Sequence, residues 1–359
     1  MKNKRGLSEV VTTLVLVLLV IVAISVIWIV VVNLLSSKSE EISSTSFQVS
    51  MSVKSVEADP LDPNKVILKI ERDTGEGNIK GIDIVLFDGE KSYTHRENTP
   101  IKVGEEIKKS ISKGGLGAIK KVSVRPVFEL NSGKEKIGEV IGTKDLTLDQ
   151  SIKSVGGLVS WYRFEDNAED IIGINEGTCN SATNTCPTYI DSGSNARKKS
   201  ASFDGVNDYV NVGILSPALS TIAPGFSASY WSKWKDSAVV YEIPFGLFGS
   251  TPFYTYISSA YAANAPTYVY ISPITKNIWY HTLITYDGTT RKIYLDGVLK
   301  TSTSGISITK KDNSLFIGTY GTGTTPSGNY FYGEIDEVMI FNKALTAAEV
   351  KTIYESTKS

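Results

Sequence analysis

The residues best suited by type and spacing to do chemistry are three nearby carboxylates, Glu334, Asp336 and Glu337. Glycoside hydrolysis uses two carboxyl groups that face the same sugar, one as an acid and one as a nucleophile or base. Side chains of a strand alternate between faces, so Glu334 and Asp336 share a face and Glu337 points to the opposite one. If Glu334 is the nucleophile and Asp336 supports it, the general acid must occupy the next position on the shared face, which is Val338, or Met339 if a bulge intervenes. The general acid is therefore missing, and we predict that the protein is not a hydrolase.

The two histidines offer no other catalytic site. His281 falls inside a strand pattern, and His95 belongs to a different β-rich segment. Nucleophilic catalysis of the Ser-His-Asp kind needs the three side chains brought together, and no such set is legible. We predict no enzymatic activity.

The two cysteines, Cys179 and Cys186, lie in a segment rich in Asn, Thr and Ser. An isolated pair lacks the further ligands that a zinc site requires, whereas a disulfide is the normal state outside the cell. We predict a Cys179–Cys186 disulfide that closes a short loop.

The charge balance excludes one class of partner. The 37 basic and 38 acidic residues nearly cancel, and beyond the first few positions no long run of either sign occurs. A nucleic-acid-binding protein would show a basic patch or stripe. We predict no nucleic-acid partner.

A long apolar segment lies near the N-terminus. From Val10 to Val32 the chain has 23 residues without a charge, and at about 1.5 Å per residue such a helix spans a bilayer. We predict a transmembrane helix over 7–35, preceded by a basic stub or leader over 1–6. Because basic residues precede the helix, the N-terminus is expected inside and the bulk of the chain outside the cell. A cleaved secretory signal, whose apolar part is shorter, is the weaker alternative.

The residues before this segment carry a signal of their own. The run Lys4-Arg5-Gly6-Leu7-Ser8-Glu9-Val10 resembles the class III signal of archaeal type IV pilin-like proteins. In that family a dedicated peptidase cuts before a retained helix, so the resemblance implies cleavage between Gly6 and Leu7 and assembly with pilus subunits. Many type IV pilins have an acidic residue at the fifth mature position, whereas Glu9 would be the third. The alternative is that Glu9 is a solvated side chain at the level of the lipid headgroups.

Two β-rich bodies follow the helix. Alternating apolar and polar residues over 47–150 predict a β-sandwich of about seven strands, whose architecture resembles the immunoglobulin-like domains of archaeal surface proteins. Ser151 to Gly157 reads as a short polar joint. The second body covers 156–357 and ends in a helix over Thr346 to Glu355, where Thr346 and Glu349 form a capping box. We expect the first body to act as a spacer.

Six sequence blocks of the second body occur in a recognisable order. They are Trp161 to Glu165, Ser202 to Val210, Trp279 to His281, Tyr286 to Thr289, Tyr294 to Gly297 and Gly333 to Val338. The fourth and fifth blocks contain Asp-Gly hairpin turns. This order resembles LamG-like jelly-roll domains, a family of the concanavalin A-like lectin and glucanase superfamily. The resemblance implies a jelly roll but leaves function open, because this fold hosts binders, enzymes and structural modules.

The predicted fold class of the whole chain is therefore all-β. It comprises an N-terminal transmembrane α-helix, a small immunoglobulin-like β-sandwich and a C-terminal concanavalin A-like jelly roll.

The resemblance also implies a metal. Related jelly rolls often hold a structural calcium ion between their first and last strands, and similarity offers Glu165, Asp170, Asp204 and Asp336 as ligands. Calcium takes about six to eight oxygens, which acidic side chains and turn carbonyls supply. The alternative is that these acids cap turns or face solvent. The prediction is one structural calcium and no organic cofactor.

Aromatic residues are dense between Trp231 and Tyr280. Exposed rings on the loops of a lectin-like fold stack on sugars, whereas rings that alternate along strands belong mostly to the core. Trp231 and Trp279 fit buried positions. A minority of the set is expected on the surface, and its further members include Phe253, Tyr254, Tyr256, Tyr261, Tyr268 and Tyr270.

Two functional hypotheses follow. In the first, the chain is a membrane-anchored surface protein whose LamG-like domain binds an extracellular glycan or a surface protein, with adhesion as the outcome. In the second, it is a minor type IV pilin-like or envelope structural subunit, and the domain is a decoration. Processing of the N-terminus and binding of glycans distinguish them.

Overall fold

The computed structural model describes residues 5–45, 49–75, 79–130, 133–173, 175–183, 185–193, 198–214, 225–235, 242–248, 253–257, 268–271, 275–306, 314–322 and 325–358. Strands dominate these residues and one long helix precedes them. The predicted all-β class with an N-terminal helix is confirmed.

Helix α1 spans Arg5–Thr45. Its apolar part, Thr12–Asn33, is 22 residues long and none of it is buried inside the protein. A helix satisfies its own backbone hydrogen bonds and therefore tolerates lipid on all sides. The segment has the length and composition of a membrane span, at a position where anchors and signal sequences both occur.

The first body consists of two sheets. Its strands are β1 (Ser50–Ala58), β2 (Lys65–Thr74), β3 (Ile79–Phe87), β4 (Ser92–Glu97), β5 (Glu106–Ser112), β6 (Lys121–Glu129), β7 (Glu135–Ile137) and β8 (Gly142–Asp145). One sheet has the order β1-β2-β5, and the other has the order β4-β3-β6-β7 with β8 also paired to β6. Alternate residues such as Leu68 of β2 and Ile84 of β3 meet in one buried cluster. The two sheets thus form the predicted sandwich.

The first residues of the predicted joint, Ser151 to Lys153, belong to a short helix, and residues 154–157 follow it. Helix α2 (Leu148–Lys153) begins with a capping box between Thr147 and Gln150. Ser151 Oγ donates to the Ile119 carbonyl over 2.8 Å, and the Ile119 amide donates to Ser154 Oγ over 2.7 Å. These serines are buried, so the polar residues that suggested a linker instead bind the backbone of the first body.

The second body is built on two larger sheets. Its strands are β9 (Leu158–Tyr162), β10 (Thr188–Asp191), β11 (Lys199–Asp204), β12 (Val210–Ile214), β13 (Phe226–Trp234), β14 (Glu242–Phe248), β15 (Phe253–Ile257), β16 (Tyr268–Ile271), β17 (Trp279–Tyr286), β18 (Thr290–Leu295), β19 (Val298–Ser304), β20 (Ser314–Ile317), β21 (Tyr320–Thr322), β22 (Thr325–Gly328) and β23 (Tyr332–Phe341). The larger sheet runs β10-β11-β23-β13-β17-β18-β19, with β9 also paired to β23. The second sheet runs β12-β20-β14-β15-β16, and β21 pairs with β22.

The main core lies between these two sheets. Tyr230 of β13 stacks on Phe245 of β14 with ring centroids 5.9 Å apart. Ile284 and Ile335 of the larger sheet and Ile317 of the second sheet belong to the same buried cluster. The strand pairs of the two sheets are antiparallel except for β15 and β16, which pair in parallel, and two sheets packed face to face in this way form the sandwich of a jelly roll.

The opposite face of the larger sheet is covered by the C-terminal helix. Helix α3 (Ala347–Thr357) has the predicted capping box between Thr346 and Glu349. Its Val350 and Ile353 share a buried cluster with Met339 of β23. Ala118 of the first body and Val155 after α2 join that cluster as well, so the two bodies meet in a common apolar core.

The predicted hairpin turns are confirmed. Asp287 Oδ1 accepts from the amide of Thr289 over 2.9 Å in the turn between β17 and β18. Asp296 and Gly297, between β18 and β19, have φ values of 50° and 74°. Positive φ at both central residues is the geometry that a tight hairpin requires, and Gly adopts it without strain.

Candidate ligand-binding site

A row of four side chains crosses the larger sheet of the second body. Ser202 of β11 pairs with Glu334 of β23, Glu334 pairs with Lys233 of β13, and Lys233 pairs with Trp279 of β17. Directly opposed residues of neighbouring strands point to the same face. We call these four residues the end row.

Helix α3 covers this face only as far as the neighbouring row. Trp231 Nε1 donates to Thr357 Oγ1 over 2.8 Å, and the rings of Trp231 and Tyr354 stack with centroids 5.8 Å apart. Trp231 is buried as a result. Because α3 ends at Thr357, the next row lies beyond it, and Lys233 and Trp279 keep part of their surface exposed. Among the described residues, the end row lies beyond the end of α3, and the segment after β10 reaches it at Ser192.

Glu334 is the centre of the charges in this site. Its Oε2 lies 2.8 Å from Lys233 Nζ, and its Oε1 lies 3.4 Å from Lys235 Nζ. Ser200 Oγ donates to Oε2 over 3.3 Å, and Lys235 Nζ donates to Ser202 Oγ over 3.4 Å. The buried carboxylate is thus hydrogen-bonded and paired, which is how proteins tolerate a charge away from water.

Trp279 supplies the apolar part of the site. Lys233 Nζ lies 5.2 Å from its ring centroid, and its Nε1 donates to the Ser192 carbonyl over 3.2 Å. The pairing of β17 with β18 covers only Thr282 to Tyr286, so β18 does not flank the indole. A fixed, partly exposed indole is a surface on which a sugar ring stacks.

The predicted burial of the two tryptophans is half correct. Trp231 is buried, as expected. Trp279 is half-buried, because the covering helix stops one row short of it. The side chains of Phe253, Tyr254, Tyr256, Tyr268 and Tyr270, and all of Tyr261, lie outside the described part of the chain.

Glu337 departs from the predicted strand geometry. The register of β13 against β23 slips between Ser229 and Trp231, and Glu337 has a φ of 50°. Such a β-bulge re-aims a side chain, and here Trp161 Nε1 donates to the Glu337 carboxylate. Trp161 pairs with Met339 and lies in the cluster under α3. The prediction that Glu337 lies on the face opposite to Asp336 is therefore wrong, since the period-two pattern assumes an unbroken ladder.

The carboxylates on this face do not form an open acid and nucleophile pair. Asp336 and Glu337 are buried. The Glu337 amide donates to Asp336 Oδ1 over 2.8 Å, and Glu337 Oε1 lies 3.5 Å from Arg163 Nε. Glu334 is held by two lysines. Hydrolysis requires both carboxyl groups to reach the sugar, and in this structure Asp336 and Glu337 are closed off from it.

The structure also joins a serine and a histidine that the sequence analysis did not connect. Ser229 Oγ lies 2.8 Å from His281 Nε2, and the His281 amide donates to Asp296 Oδ1 over 2.9 Å. The His281 ring packs against both Trp231 and Tyr354, with centroids 5.2 Å and 5.6 Å away. Both residues of the pair are buried under α3, so the serine is not presented to a substrate.

The four acids suggested as calcium ligands occupy separate places. Asp170 is buried and accepts from the amides of Trp161 and Asn175 over 2.8 Å and 3.1 Å. Asp204 Oδ1 caps its own turn, accepting from the Val206 amide over 2.8 Å. Asp336 binds its neighbouring amide, and Glu165 is half-buried in the segment after β9. Among the described residues no three Asp, Glu, His or Cys side chains form a group able to hold a metal ion. These residues do not fit a shared calcium site as arranged, and calcium binding stays a prediction.

The predicted disulfide is confirmed. Cys179 and Cys186 are bonded, with Cα atoms 5.1 Å apart. Next to the bridge, Thr178 forms an isolated β-bridge with Asn211, and the Tyr209 amide donates to the Thr185 carbonyl over 3.1 Å. The disulfide therefore fastens this loop beside β12.

The residues of the suggested leader are only partly described. Gly6, Leu7 and Glu9 lie within the first turns of α1, and their side chains are outside the described residues. Cleavage after Gly6 and a role for Glu9 in assembly stay predictions.

Comparison with known families agrees with the fold. Residues 204–351 match the model of the concanavalin A-like lectin/glucanases superfamily. This match agrees with the jelly-roll fold of the second body and confirms its resemblance to LamG-like domains. No curated protein matches the sequence.

Several solved structures resemble this chain over part of its length. Domain 4 of AbnA, a GH43 extracellular arabinanase from Geobacillus stearothermophilus in complex with arabinotriose, is 20% identical with a TM-score of 0.39, and the match covers 55% of this chain and 98% of that one. The botulinum neurotoxin serotype G binding domain is 15% identical with a TM-score of 0.39, covering 55% and 50%. The Trypanosoma rangeli sialidase is 11% identical with a TM-score of 0.40, covering 85% and 52%. The chain thus spans about half the length of the toxin and sialidase structures, and similarity at this level concerns the fold and carries no argument about function.

Proposed function

We propose that the protein is a membrane-anchored surface protein whose jelly roll binds an extracellular glycan through the end row. One observation carries the proposal. A half-buried indole, Trp279, and the half-buried, hydrogen-bonding side chains of Lys233 and Ser202 lie in one row beyond the end of α3. Sugar-binding sites combine an aromatic stacking surface with a few convergent polar groups.

Binding is favoured over hydrolysis by the state of the carboxylates. Asp336 and Glu337 are enclosed beneath α3, and Glu334 is paired with Lys233 and Lys235. Hydrolysis requires carboxyl groups that reach the sugar, whereas these three are enclosed or held by other side chains. We therefore assign the site to recognition.

A glycan array probed with the full chain in detergent tests this proposal. We expect wild type to bind a restricted set of glycans, Trp279→Ala to lose that binding, and Lys300→Ala to retain it. Lys300 is an exposed lysine of β19, on the same body. An array without signal for wild type, or binding that Trp279→Ala leaves intact, contradicts the assignment. If the protein still binds intact cells after their glycans have been removed, its ligand is a surface protein.

The anchoring part of the proposal rests on α1. Its apolar part, Thr12–Asn33, is exposed throughout, and basic residues precede it. Protease added to intact cells should digest both β bodies and spare the segment before Thr12. Digestion only after cell lysis would place the bodies inside and overturn the orientation.

A pilin-like or envelope subunit is the second candidate. It is favoured by the position of the Gly6-Leu7 pair at the start of a continuous 41-residue helix. Mass spectrometry of the mature chain distinguishes the two: an N-terminus at Leu7 supports pilin-type processing, whereas an intact Met1, or loss of Met1 alone, excludes it.

A further inference from the structure

We propose that the end row is selective for a sugar that carries a carboxylate, as in a uronic acid, with Lys233 and Lys235 as the groups that recognise it. The inference rests on the proposed glycan-binding function and names the class of ligand for that same site.

The charged side chains of this site lie at different depths. The side chain of Glu334 is 3% exposed, whereas those of Lys233 and Lys235 are 21% and 30% exposed. The carboxylate therefore lies below and the two ammonium groups lie nearer the solvent. A ligand that approaches the sheet face meets positive charge first.

The charges of this cluster do not cancel. Among the described residues of this cluster, two lysines share the single carboxylate of Glu334, so these three side chains carry one net positive charge next to Trp279. Interactions with a charged ligand group are stronger at a partly buried site than on an open surface, because water screens them less. An anionic substituent on the sugar ring supplies the complementary charge.

Both lysines are held in place before a ligand arrives. Lys233 lies between Glu334 and the ring of Trp279, 5.2 Å from the ring centroid. Lys235 is hydrogen-bonded to Ser202 and paired with Glu334. A lysine ammonium has three donors, and these contacts use one donor of Lys233 and two of Lys235. Ordering long side chains in advance reduces the entropy lost on binding.

The indole determines that the anion is part of a sugar. Trp279 pairs with Lys233 across neighbouring strands, and Lys233 Nζ lies 5.2 Å from the centroid of the indole. A carboxylate attached to the same ring that stacks on Trp279 falls within reach of Lys233. A free small anion would gain nothing from the indole.

Calorimetry of the full chain in detergent, with an oligomer of galacturonic acid and with its methyl ester, tests this inference. The two probes have the same sugar backbone and differ in charge. We expect the acid to bind at least about tenfold more tightly than the ester, which corresponds to one charge-assisted contact. Lys235→Ala should reduce the affinity for the acid about fivefold to tenfold and leave the ester unaffected.

Two control variants distinguish loss of the lysine charge from misfolding of the protein. Lys235→Arg keeps the charge beside Glu334 and should keep the preference for the acid. Lys300→Ala removes an exposed lysine elsewhere on the body and should change nothing. If wild type binds the acid and the ester equally well and Trp279→Ala binds neither, the preference for a carboxylate is overturned, but the proposed glycan binding stands. If neither the acid nor the ester binds and the glycan array shows no signal, both glycan binding and the preference for a carboxylate are overturned. If neither binds and the array shows only neutral glycans, the preference for a carboxylate alone is overturned.

Discussion

Lys113 Nζ lies 3.2 Å from Glu349 Oε1, and the two side chains are 2% and 3% exposed. Lys113 follows β5 of the first body, and Glu349 belongs to α3 of the second. Lys113 Nζ also donates to the Val155 carbonyl over 2.8 Å, and Glu349 Oε1 lies 2.7 Å from Lys343 Nζ. One buried cluster thus connects the first body, the segment after α2 and the C-terminal helix.

The first prediction concerns the pH dependence of this cluster. Burial lowers the pKa of Lys113 from 10.5 to about 8, although the Glu349 carboxylate opposes the change. Between these two pH values an unfolded chain holds this proton and the folded chain does not. The free energy of unfolding should therefore rise as the pH increases from 8 to 10.5, by up to about 3 kcal/mol from this group.

Denaturant unfolding of wild type and Lys113→Met at pH 7.5 and pH 10 measures that gain. Methionine has a similar shape and no titrating group, and Glu349 keeps Lys343 as its partner. The wild type should gain stability relative to the variant at the higher pH. If the free energies of unfolding of wild type and Lys113→Met change equally with pH, the buried ammonium group of Lys113 is not the cause of the pH dependence.

The second prediction compares a buried pair with an exposed pair at the same interface. Burial alone would raise the pKa of Glu349, but the ammonium groups of Lys343 and Lys113 lower it below its usual value. Glu349 is therefore an anion at neutral pH. Glu349→Gln keeps hydrogen-bonding capacity but leaves two ammonium groups without their counter-charge, and should destabilise the protein by about 3 to 5 kcal/mol.

Lys351→Gln is the matched control for this comparison. Lys351 pairs with Glu90 across the same junction, and both side chains are exposed. Its loss should lower the free energy of unfolding much less than Glu349→Gln does, because water screens an exposed ion pair. Urea titration at pH 7 compares the two variants, and equal losses would refute the difference in burial on which the comparison depends.

The third prediction concerns the close approach of α3 to the first body. A Cβ on Gly117 would lie 2.4 Å from Thr352 Oγ1 and 3.0 Å from the Ala348 carbonyl oxygen. Gly117→Ala must push the helix outward, so we expect a loss of about 1 to 3 kcal/mol. Adding Thr352→Ala removes the nearer atom and should restore part of this loss in thermal melting. If the double variant is no more stable than Gly117→Ala, the clash is not the cause.

The fourth prediction concerns the disulfide. The bridge between Cys179 and Cys186 closes a loop of short sequence separation, 7 residues, and such a loop adds at most about 2 to 3 kcal/mol. A reducing agent should lower the melting temperature of wild type and have no effect on a Cys179→Ser, Cys186→Ser double variant. An equal response of both proteins would assign the effect to something other than this bond.

Local sequence signals predicted much of the fold. The capping box of Thr346 and Glu349 located α3, and the Asp287-Gly288 and Asp296-Gly297 pairs located two hairpins. These features depend on residues within a few positions of each other, and their physical causes act over the same range. The LamG-like order of blocks then identified the jelly roll.

The features that sequence reading missed depend on contacts between distant segments. The bulge at Glu337 is set by the register of β23 against β13. The polar residues of the supposed joint, such as Ser151, bind a carbonyl of the first body. The end row gathers residues from four strands, β11, β13, β17 and β23, which are scattered along the chain. No local spacing shows that α3 stops one row short of Trp279.

The most direct test of the end row as the binding site is ¹⁹F NMR of the full chain labelled with 5-fluorotryptophan. The protein has five tryptophans, and a Trp279→Phe variant assigns the signal of Trp279. Titration with the galacturonic acid oligomer should shift that signal and leave those of buried Trp161 and Trp231 in place. A saturating titration that shifts other signals but not that of Trp279, or that shifts none, would contradict the assignment of the end row as the binding site.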